Sequence, residues 1–135
     1  VRRVRRRACL VLGVTGPAIY RPMRTAARET PVGPAILVAP YYDASTLDPG
    51  FVDRVRRAEY PHCVWDRLPL GAQRDVILRL DQVQAVGRDP LGVEWTDHAL
   101  TPAALAVVDA WFHWNLTGAL APGDLHDFRE LVRGA

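Results

Sequence analysis

Lysine is absent from this 135-residue chain, and all 17 of its basic residues are arginine. This bias, with its many alanine, glycine and proline residues, is typical of a GC-rich genome. The net charge of +2 excludes a polycation. The arginines nevertheless form two groups, which are Arg2, Arg3, Arg5, Arg6 and Arg7 near the start, and Arg54, Arg56 and Arg57 further along. Guanidinium groups bind phosphate through planar paired donors. Each of the two arginine-rich segments is therefore either a phosphate-binding surface or an ordinary solvated surface.

Long apolar runs and clustered metal ligands are also missing. No stretch reaches the ~20 uninterrupted apolar residues of a membrane-spanning helix, which predicts a soluble, cytoplasmic protein. The apolar run over residues 8–14 is too short for a signal peptide and lacks a clean cleavage site. The two cysteines, Cys9 and Cys63, lie in separate apolar runs and are predicted to be reduced core thiols. The absence of a Gly-rich phosphate loop, a nucleophile elbow or a zinc-type spacing predicts that neither a cofactor nor a metal is used.

Short apolar runs predict four or five strands. They cover residues 8–14, 34–40, 61–66 and 75–81, and residues 83–86 either continue the fourth strand or form a fifth. Residues 15–33 contain several prolines and glycines and are predicted to form a long loop. Because proline donates no ladder hydrogen bond, the second strand is expected to end at Pro40.

Capping patterns predict the helices. Asp48-Pro49 and Thr101-Pro102 both have the capping residue and first-turn proline of a helix start, and Gly118 is the expected end of the second helix. The apolar residues of that helix predict a core-facing stripe, made of Leu105, Val108, Trp111, Phe112 and Leu116. Trp111 and Trp114 share one face and are predicted to be either core residues or a dimer contact. A last short helix is expected after Pro122-Gly123. The order of elements predicts an α+β fold with an antiparallel, partly closed sheet.

Three blocks in order carry a resemblance to a known family. They are Arg7-Ala8-Cys9-Leu10-Val11-Leu12, then Ile36-Leu37-Val38-Ala39-Pro40, then the stretch from Tyr60-Pro61 through Asp81-Gln82 to Leu100-Thr101-Pro102. This order resembles the MazF/PemK family, the ribonuclease toxins of bacterial toxin–antitoxin pairs. The resemblance implies a small CcdB/MazF-type β-barrel domain over residues 1–120 and a short helical extension over residues 121–135. The family's first strand has no counterpart before Arg7.

The resemblance also implies an activity and partners. The family cleaves single-stranded RNA without metal, because the 2′-hydroxyl attacks the adjacent phosphate. We therefore expect an endoribonuclease toxin that forms a homodimer and is neutralised by a cognate antitoxin protein. Alternatives are a degenerate relative that binds RNA or a protein partner, and a toxin of the CcdB type that is directed at DNA gyrase.

The family's catalytic arginine corresponds to Arg7, whose implied role is to stabilise the charge of the phosphorane. Arg6 takes that place if the register shifts by one residue. The family's catalytic Thr or Ser lies two positions beyond the strand-ending proline, where this chain has Tyr42. The hydroxyl group is then supplied by Tyr42 itself or by one of the next hydroxyl residues, Ser45 and Thr46, and Asp43 is a candidate general base.

Further candidates for RNA binding surround this segment. Tyr41 and Tyr42 are placed to stack on bases or to be ordinary sheet aromatics. Gln82, with Asp81, matches the family's Asp-Gln pair and is expected to join strand ends beside the RNA groove. His62 is expected on a strand, either in the core or near the groove. The remaining candidates are the arginines of the 41–59 insertion, which are Arg54, Arg56 and Arg57.

Overall fold

A computed structural model describes residues 7–14, 35–69, 73–87 and 94–134. Strands come first along the chain and helices mainly later, with the bounds β1 Cys9–Val14, β2 Ala35–Asp43, α1 Pro49–Arg56, β3 Cys63–Leu68, β4 Arg74–Arg79, β5 Gln84–Gly87, α2 Pro102–Thr117 and α3 Asp124–Arg133. Two 3-10 turns, Ala44–Thr46 and Leu80–Gln82, follow β2 and β4. The long loop predicted over residues 15–33 lies outside the described residues.

β2 lies at the centre of an antiparallel sheet. β1 pairs along one edge of β2, with Cys9 opposite Pro40. β5 pairs with the first part of β2, and β4 pairs with its last part, from Tyr41 to Asp43. β3 completes the order β1-β2-β4-β3 through its pairing with β4. The sheet is therefore curled and antiparallel and carries helices, which confirms the predicted α+β class.

The prediction that β2 ends at Pro40 is wrong. The strand continues to Asp43, and the backbone N–H of Tyr41 donates to the carbonyl of Ala8 at 3.0 Å. Pro40 is tolerated because successive residues of a strand direct their N–H groups to opposite edges. The N–H group that Pro40 lacks would therefore point to the edge of β2 that faces away from β1. Pro40 lies on that edge between the stretch that pairs with β5 and the stretch that pairs with β4.

The two faces of β4 pack against different helices. Val76 and Leu78 belong to the main core, which includes residues of α2. Ile77 points to the opposite face and packs with Val55 of α1 and with Cys63. This alternation is the two-residue period of a strand with both faces covered. Tyr42 lies opposite Ile77 in the ladder, so the Tyr42 side chain belongs to the α1 side of the sheet.

α2 begins and ends as the sequence predicts. The Thr101 side chain accepts a hydrogen bond from Ala104 N at 3.2 Å, and Pro102 occupies the first turn. Gly118 ends the helix with a φ of 72°, the left-handed conformation that favours glycine. α1 starts in the same way, because Asp48 accepts from Phe51 N at 2.9 Å.

The predicted core stripe of α2 is only half right. Val108 and Trp111 are buried, whereas Leu105 is 49% exposed and Leu116 is 67% exposed. Trp114 is buried instead, so the contact with the sheet follows the side of the helix that contains Val108, Trp111 and Trp114. Both indoles are buried within the chain, so Trp111 and Trp114 are core residues, which is one of the two predicted alternatives.

α3 follows at Asp124–Arg133, as expected, and Leu125 is its buried anchor. Among the described residues, no helix combines the length and the hydrophobicity needed to span a membrane.

Candidate functional site

The pairing of β1 with β2 brings Arg7 to Tyr42. Arg7 lies two residues before the start of β1, and the register of Cys9 opposite Pro40 places it beside the end of β2. Its guanidinium carbon lies 3.9 Å from the centre of the Tyr42 ring, a close cation–π contact. Arg7 Nη1 also donates to the carbonyl of Tyr41 at 3.4 Å. The residue that the family resemblance assigns to catalysis therefore contacts the segment just after Pro40.

The Tyr42 hydroxyl is held by the 3-10 turn after β4. It donates a hydrogen bond to Oε1 of Gln82, which is the last residue of that turn. The turn follows β4, the strand that pairs with β2, and so brings residues 80–82 back beside Tyr42. The phenol thus has a guanidinium over its ring and an amide at its hydroxyl.

A second guanidinium completes the group. Arg79 binds Asp81 through two hydrogen bonds of 2.8 and 2.7 Å, and its guanidinium carbon lies 6.0 Å from the Tyr42 ring centre. The hydrogen bond from Arg79 lowers the pKa of Asp81, although partial burial opposes this shift. The same hydrogen bond raises the pKa of Arg79. We call these five residues the Tyr42 cluster: Arg7, Tyr42, Arg79, Asp81 and Gln82.

The expectation that Tyr41 stacks on bases is wrong. Tyr41 is only 6% exposed and packs in the main core with residues such as Leu78. Burial raises the pKa of its hydroxyl group, with Asp66 contributing in the same direction. The alternation of the strand explains the difference between neighbours, because Tyr41 points to the α2 side and Tyr42 to the α1 side.

Asp43, Ser45 and Thr46 form a separate local arrangement. One carboxylate oxygen of Asp43 accepts from both Ser45 N at 2.9 Å and Ser45 Oγ at 2.7 Å. Thr46 Oγ1 donates to the Asp43 carbonyl at 2.8 Å. These contacts cap the Ala44–Thr46 turn, and the hydrogen bonds from Ser45 lower the pKa of Asp43. Asp43 is consequently a weaker base than an ordinary aspartate, which argues against the role of general base.

The three arginines of the insertion lie on and just after α1. Arg56 lies 4.8 Å from the Trp65 ring centre, and Arg57 forms an ion pair of 2.8 Å with Asp53. Arg54 is exposed in the last turn of the helix. These contacts tie Arg56 to β3 and Arg57 to α1 itself. They do not include a member of the Tyr42 cluster.

His62 lies in the turn before β3 rather than on a strand, so this prediction is wrong. Its carbonyl accepts from Leu80 N at 2.8 Å, and its ring centre is 5.6 Å from that of Tyr60. Leu80 begins the turn that contains Asp81 and Gln82, so the backbone of His62 lies beside the Tyr42 cluster. Arg6 lies outside the described residues.

Arg79 is the member of the cluster that the sequence reasoning missed. A signal was present, because residues two apart on a strand share a face, and Arg79 is two residues from both Ile77 and Asp81. The expectation that Asp81 and Gln82 join strand ends is confirmed for Gln82 only. Asp81 binds Arg79 at the end of β4, and Gln82 binds Tyr42 of β2.

The chain was compared with family models, with curated proteins and with solved structures, and nothing matches in any of the three. Within the described ranges there is also no cluster of three or more His, Cys, Asp or Glu side chains that could hold a metal ion.

Proposed function

We propose that the protein is an endoribonuclease toxin of the MazF/PemK type that cleaves single-stranded RNA at the Tyr42 cluster. In this reaction the 2′-oxygen loses its proton and bonds to the adjacent phosphorus, while the bond from phosphorus to the 5′-oxygen breaks. The 5′-oxygen takes up a proton. The products are a 2′,3′-cyclic phosphate and a 5′-hydroxyl.

The observation that carries the proposal is the contact between Arg7 and Tyr42. A guanidinium and a hydroxyl group are the two functions that the family resemblance requires at these sequence positions. Arg7 and Tyr42 are 35 residues apart in sequence, yet the guanidinium carbon lies 3.9 Å from the centre of the Tyr42 ring. Negative charge develops on the phosphorane oxygens, and fixed cationic donors stabilise that charge most effectively when they need not reorient.

The residues of the cluster fit distinct roles. Arg7 faces the phosphorane charge, and Arg79, held in place by Asp81, provides a second cation beside the same ring. The Tyr42 hydroxyl exchanges its bond to Gln82 for the leaving 5′-oxygen and donates its proton there. His62, whose carbonyl binds Leu80 of the turn that contains Gln82, takes the 2′-proton in place of Asp43.

A second candidate is an RNA-binding protein that does not cleave. It is favoured by the hydrogen bonds within the cluster, because Tyr42 already donates to Gln82 and Arg7 to the Tyr41 carbonyl. A cation over an aromatic ring also suits base stacking and phosphate binding without any chemistry. In either case the homodimer and the cognate antitoxin are the partners implied by the family resemblance.

Cleavage of a single-stranded RNA labelled with a fluorophore and a quencher, in the presence of EDTA, tests the proposal. We expect the parent protein to release a fragment that ends in a cyclic phosphate. Arg7→Ala is expected to cleave at least about 100-fold more slowly, and Arg7→Lys to recover part of this loss. Arg67→Ala, which removes an exposed arginine paired with Asp75, is the matched control and should cleave at the parental rate.

Binding measured on the same RNA separates the two candidates. Binding without cleavage in the parent protein supports the RNA-binding candidate. Equal cleavage by the parent and Arg7→Ala contradicts the assigned role of Arg7. Absence of both binding and cleavage rejects both functions.

A further inference from the structure

A basic concavity lies between the end of α1 and the outer side of α3. Its volume is about 480 Å³, and the residues that define its chemistry are Arg57, Glu59, Tyr60, Arg129 and Arg133. Three guanidinium groups thus face one carboxylate group. This concavity includes none of the Tyr42 cluster, and α3 lies beyond the part of the chain that resembles the MazF/PemK family.

Arg129 is fixed in an orientation that leaves donors available. Its Nε donates to the carbonyl of Ala58 at 2.7 Å, and its guanidinium carbon lies 4.3 Å from the ring centre of Trp114. Trp114 is itself buried in the main core, so the surface beneath the guanidinium is rigid. An arginine has five N–H donors, and the four on the Nη atoms are not used in the bond to Ala58. Arginines held in this way bind oxyanions with little loss of side-chain entropy.

The surrounding charges favour an anion in the concavity. Partial burial lowers the pKa of Arg129, and the nearby positive charge of Arg133 lowers it further. A bound anion would relieve this repulsion between like charges. Arg57 is partly neutralised by its ion pair with Asp53, and Glu130 only partly offsets the effect of Arg133 on Arg129.

Continuous contacts connect the concavity to the Tyr42 cluster. Tyr60 lines the concavity, and its ring centre lies 5.6 Å from that of His62. The carbonyl of His62 accepts from Leu80 N at 2.8 Å, and Leu80 begins the turn that contains Asp81 and Gln82 of the cluster. Trp111 Nε1 donates to the Tyr60 carbonyl at 3.0 Å and anchors this connection to α2. These contacts join the concavity to the turn that carries two members of the Tyr42 cluster.

We propose that the concavity binds a backbone phosphate of the single-stranded RNA whose cleaved phosphate lies at the Tyr42 cluster. This inference rests on the proposed function. Single-stranded RNA carries one phosphate per nucleotide along a flexible backbone and can reach both sites at once. Tyr60 is half-buried, with its ring stacked on Phe51, and lines the concavity on the side of His62.

Affinity for RNA of graded length tests the inference. The probes are fluorescent 2′-O-methyl RNAs, which cannot react, and binding is followed by anisotropy. We expect the affinity of the parent protein to rise sharply once the RNA is long enough to reach the concavity. Arg133→Gln should remove this rise, lowering the affinity for the longer RNAs by about tenfold while that for the shortest stays unchanged. In Arg133→Gln the negative slope of log affinity against log salt should become shallower by about 0.7, the value for one phosphate contact in a single strand.

The controls use residues outside the concavity. Arg67→Gln removes the same charge from an exposed ion pair and should leave the length dependence intact. Arg129→Gln should act like Arg133→Gln, and a thermal melt shows whether it also loosens the packing on Trp114.

Two results would overturn the inference. One is an unchanged length dependence in Arg133→Gln and Arg133→Glu. The other is an Arg133-dependent affinity for a poly-glutamate peptide with no such dependence for RNA, which would assign the concavity to an acidic protein segment. A failure of the proposed function gives a different result from a failure of this inference. In that case the affinity still rises with RNA length and depends on Arg133, but the parent protein does not cleave RNA.

Discussion

Tyr42 combines a hydroxyl group and an aromatic ring in one side chain. Its hydroxyl group donates to Gln82, and its ring supports the guanidinium of Arg7 at 3.9 Å. In the proposed function this hydroxyl group replaces the Thr or Ser of the MazF/PemK family. A threonine at this position would offer no aromatic face. The ring therefore adds a surface on which a guanidinium or a base can stack, and the hydroxyl group can still donate a proton to the leaving oxygen.

Two substitutions at Tyr42 separate these properties. Tyr42→Phe keeps the ring and removes the hydroxyl group, so we expect RNA binding within about twofold of the parent and cleavage slowed by about 10²–10⁴-fold. Tyr42→Ala also removes the ring, and binding should weaken by about 1–3 kcal/mol. Cleavage and anisotropy on the same RNA provide both measurements. Parental cleavage by Tyr42→Phe would exclude the hydroxyl group from the reaction.

The Arg79–Asp81 pair predicts a contribution to stability that depends on pH. The hydrogen bond from Arg79 lowers the pKa of Asp81 below its ordinary value of 3.8 in the folded protein. The stabilisation by the Arg79–Asp81 pair is therefore complete above pH 3.8, the ordinary pKa of aspartate. It is lost as the pH falls through the lower pKa that Asp81 has in the folded protein. We expect Asp81→Asn to be less stable than the parent near neutral pH and equally stable near about pH 2. Urea unfolding across this range measures the difference, and a constant difference at every pH would contradict the assignment.

At the scale of elements, the helix ends follow from local sequence. Asp48 and Thr101 accept the hydrogen bonds of first-turn N–H groups, as their types predict. The partners in these contacts are three residues apart, so a short stretch of sequence contains both. Strand pairing is different, because the extension of β2 past Pro40 depends on β4, more than thirty residues away. That extension was not predicted for this reason.

Gly118 and Gly134 form a matched pair for testing the end of α2. Gly118 has a φ of 72°, whereas Gly134 ends α3 with a φ of −80°, which any residue adopts. We expect Gly118→Ala to lower the free energy of unfolding by about 1 kcal/mol. Gly134→Ala should leave it unchanged or raise it slightly. Urea denaturation measures both, and equal effects would contradict the assigned conformation at Gly118.

The exposed and buried sides of α2 predict unequal costs for substitution. Leu116 is 67% exposed, so Leu116→Gln should change the free energy of unfolding by no more than about 0.5 kcal/mol. Val108 is buried against the main core, and Val108→Ala should cost about 2 kcal/mol. A large loss of stability in Leu116→Gln would show that this side of the helix is covered in solution. Sedimentation of the parent protein would then identify a second copy as the cover.

At the scale of the whole molecule, the sheet separates two cores. The main core lies between the sheet and α2, and a smaller one, containing Ile77 and Cys63, lies under α1. Sequence periodicity indicated apolar strands without showing which face each helix would cover. The Tyr42 cluster was predicted only in part, because the sequence does not show how the strands pair. Arg7, Tyr42, Asp81 and Gln82 came from the family resemblance. The face of Arg79 could be read from the spacing along β4, but its position beside Tyr42 depends on the pairing of β4 with β2.

The two cysteines report on this arrangement. Cys63 is fully buried in the smaller core, and burial raises the pKa of its thiol to about 11. Cys9 is exposed at the start of β1, although partial burial also raises the pKa of its thiol. Because the thiolate is the reactive form, we expect a thiol reagent at about pH 8 to modify Cys9 first and Cys63 only after unfolding. Two equally fast reactions in the folded protein would mean that α1 does not cover Cys63.

Pro40 has a consequence for how the sheet changes direction. On the edge away from β1, β2 leaves β5 after Val38 and joins β4 at Tyr41. An ordinary residue between these two partners would present an amide hydrogen with no strand to receive it. The imino acid has no such hydrogen, so the backbone can bend between two neighbours without an unsatisfied donor. Tyr42 and Gln82 meet just beyond this change of partner. Pro40 therefore helps to bring the side chains of Tyr42 and Gln82 together.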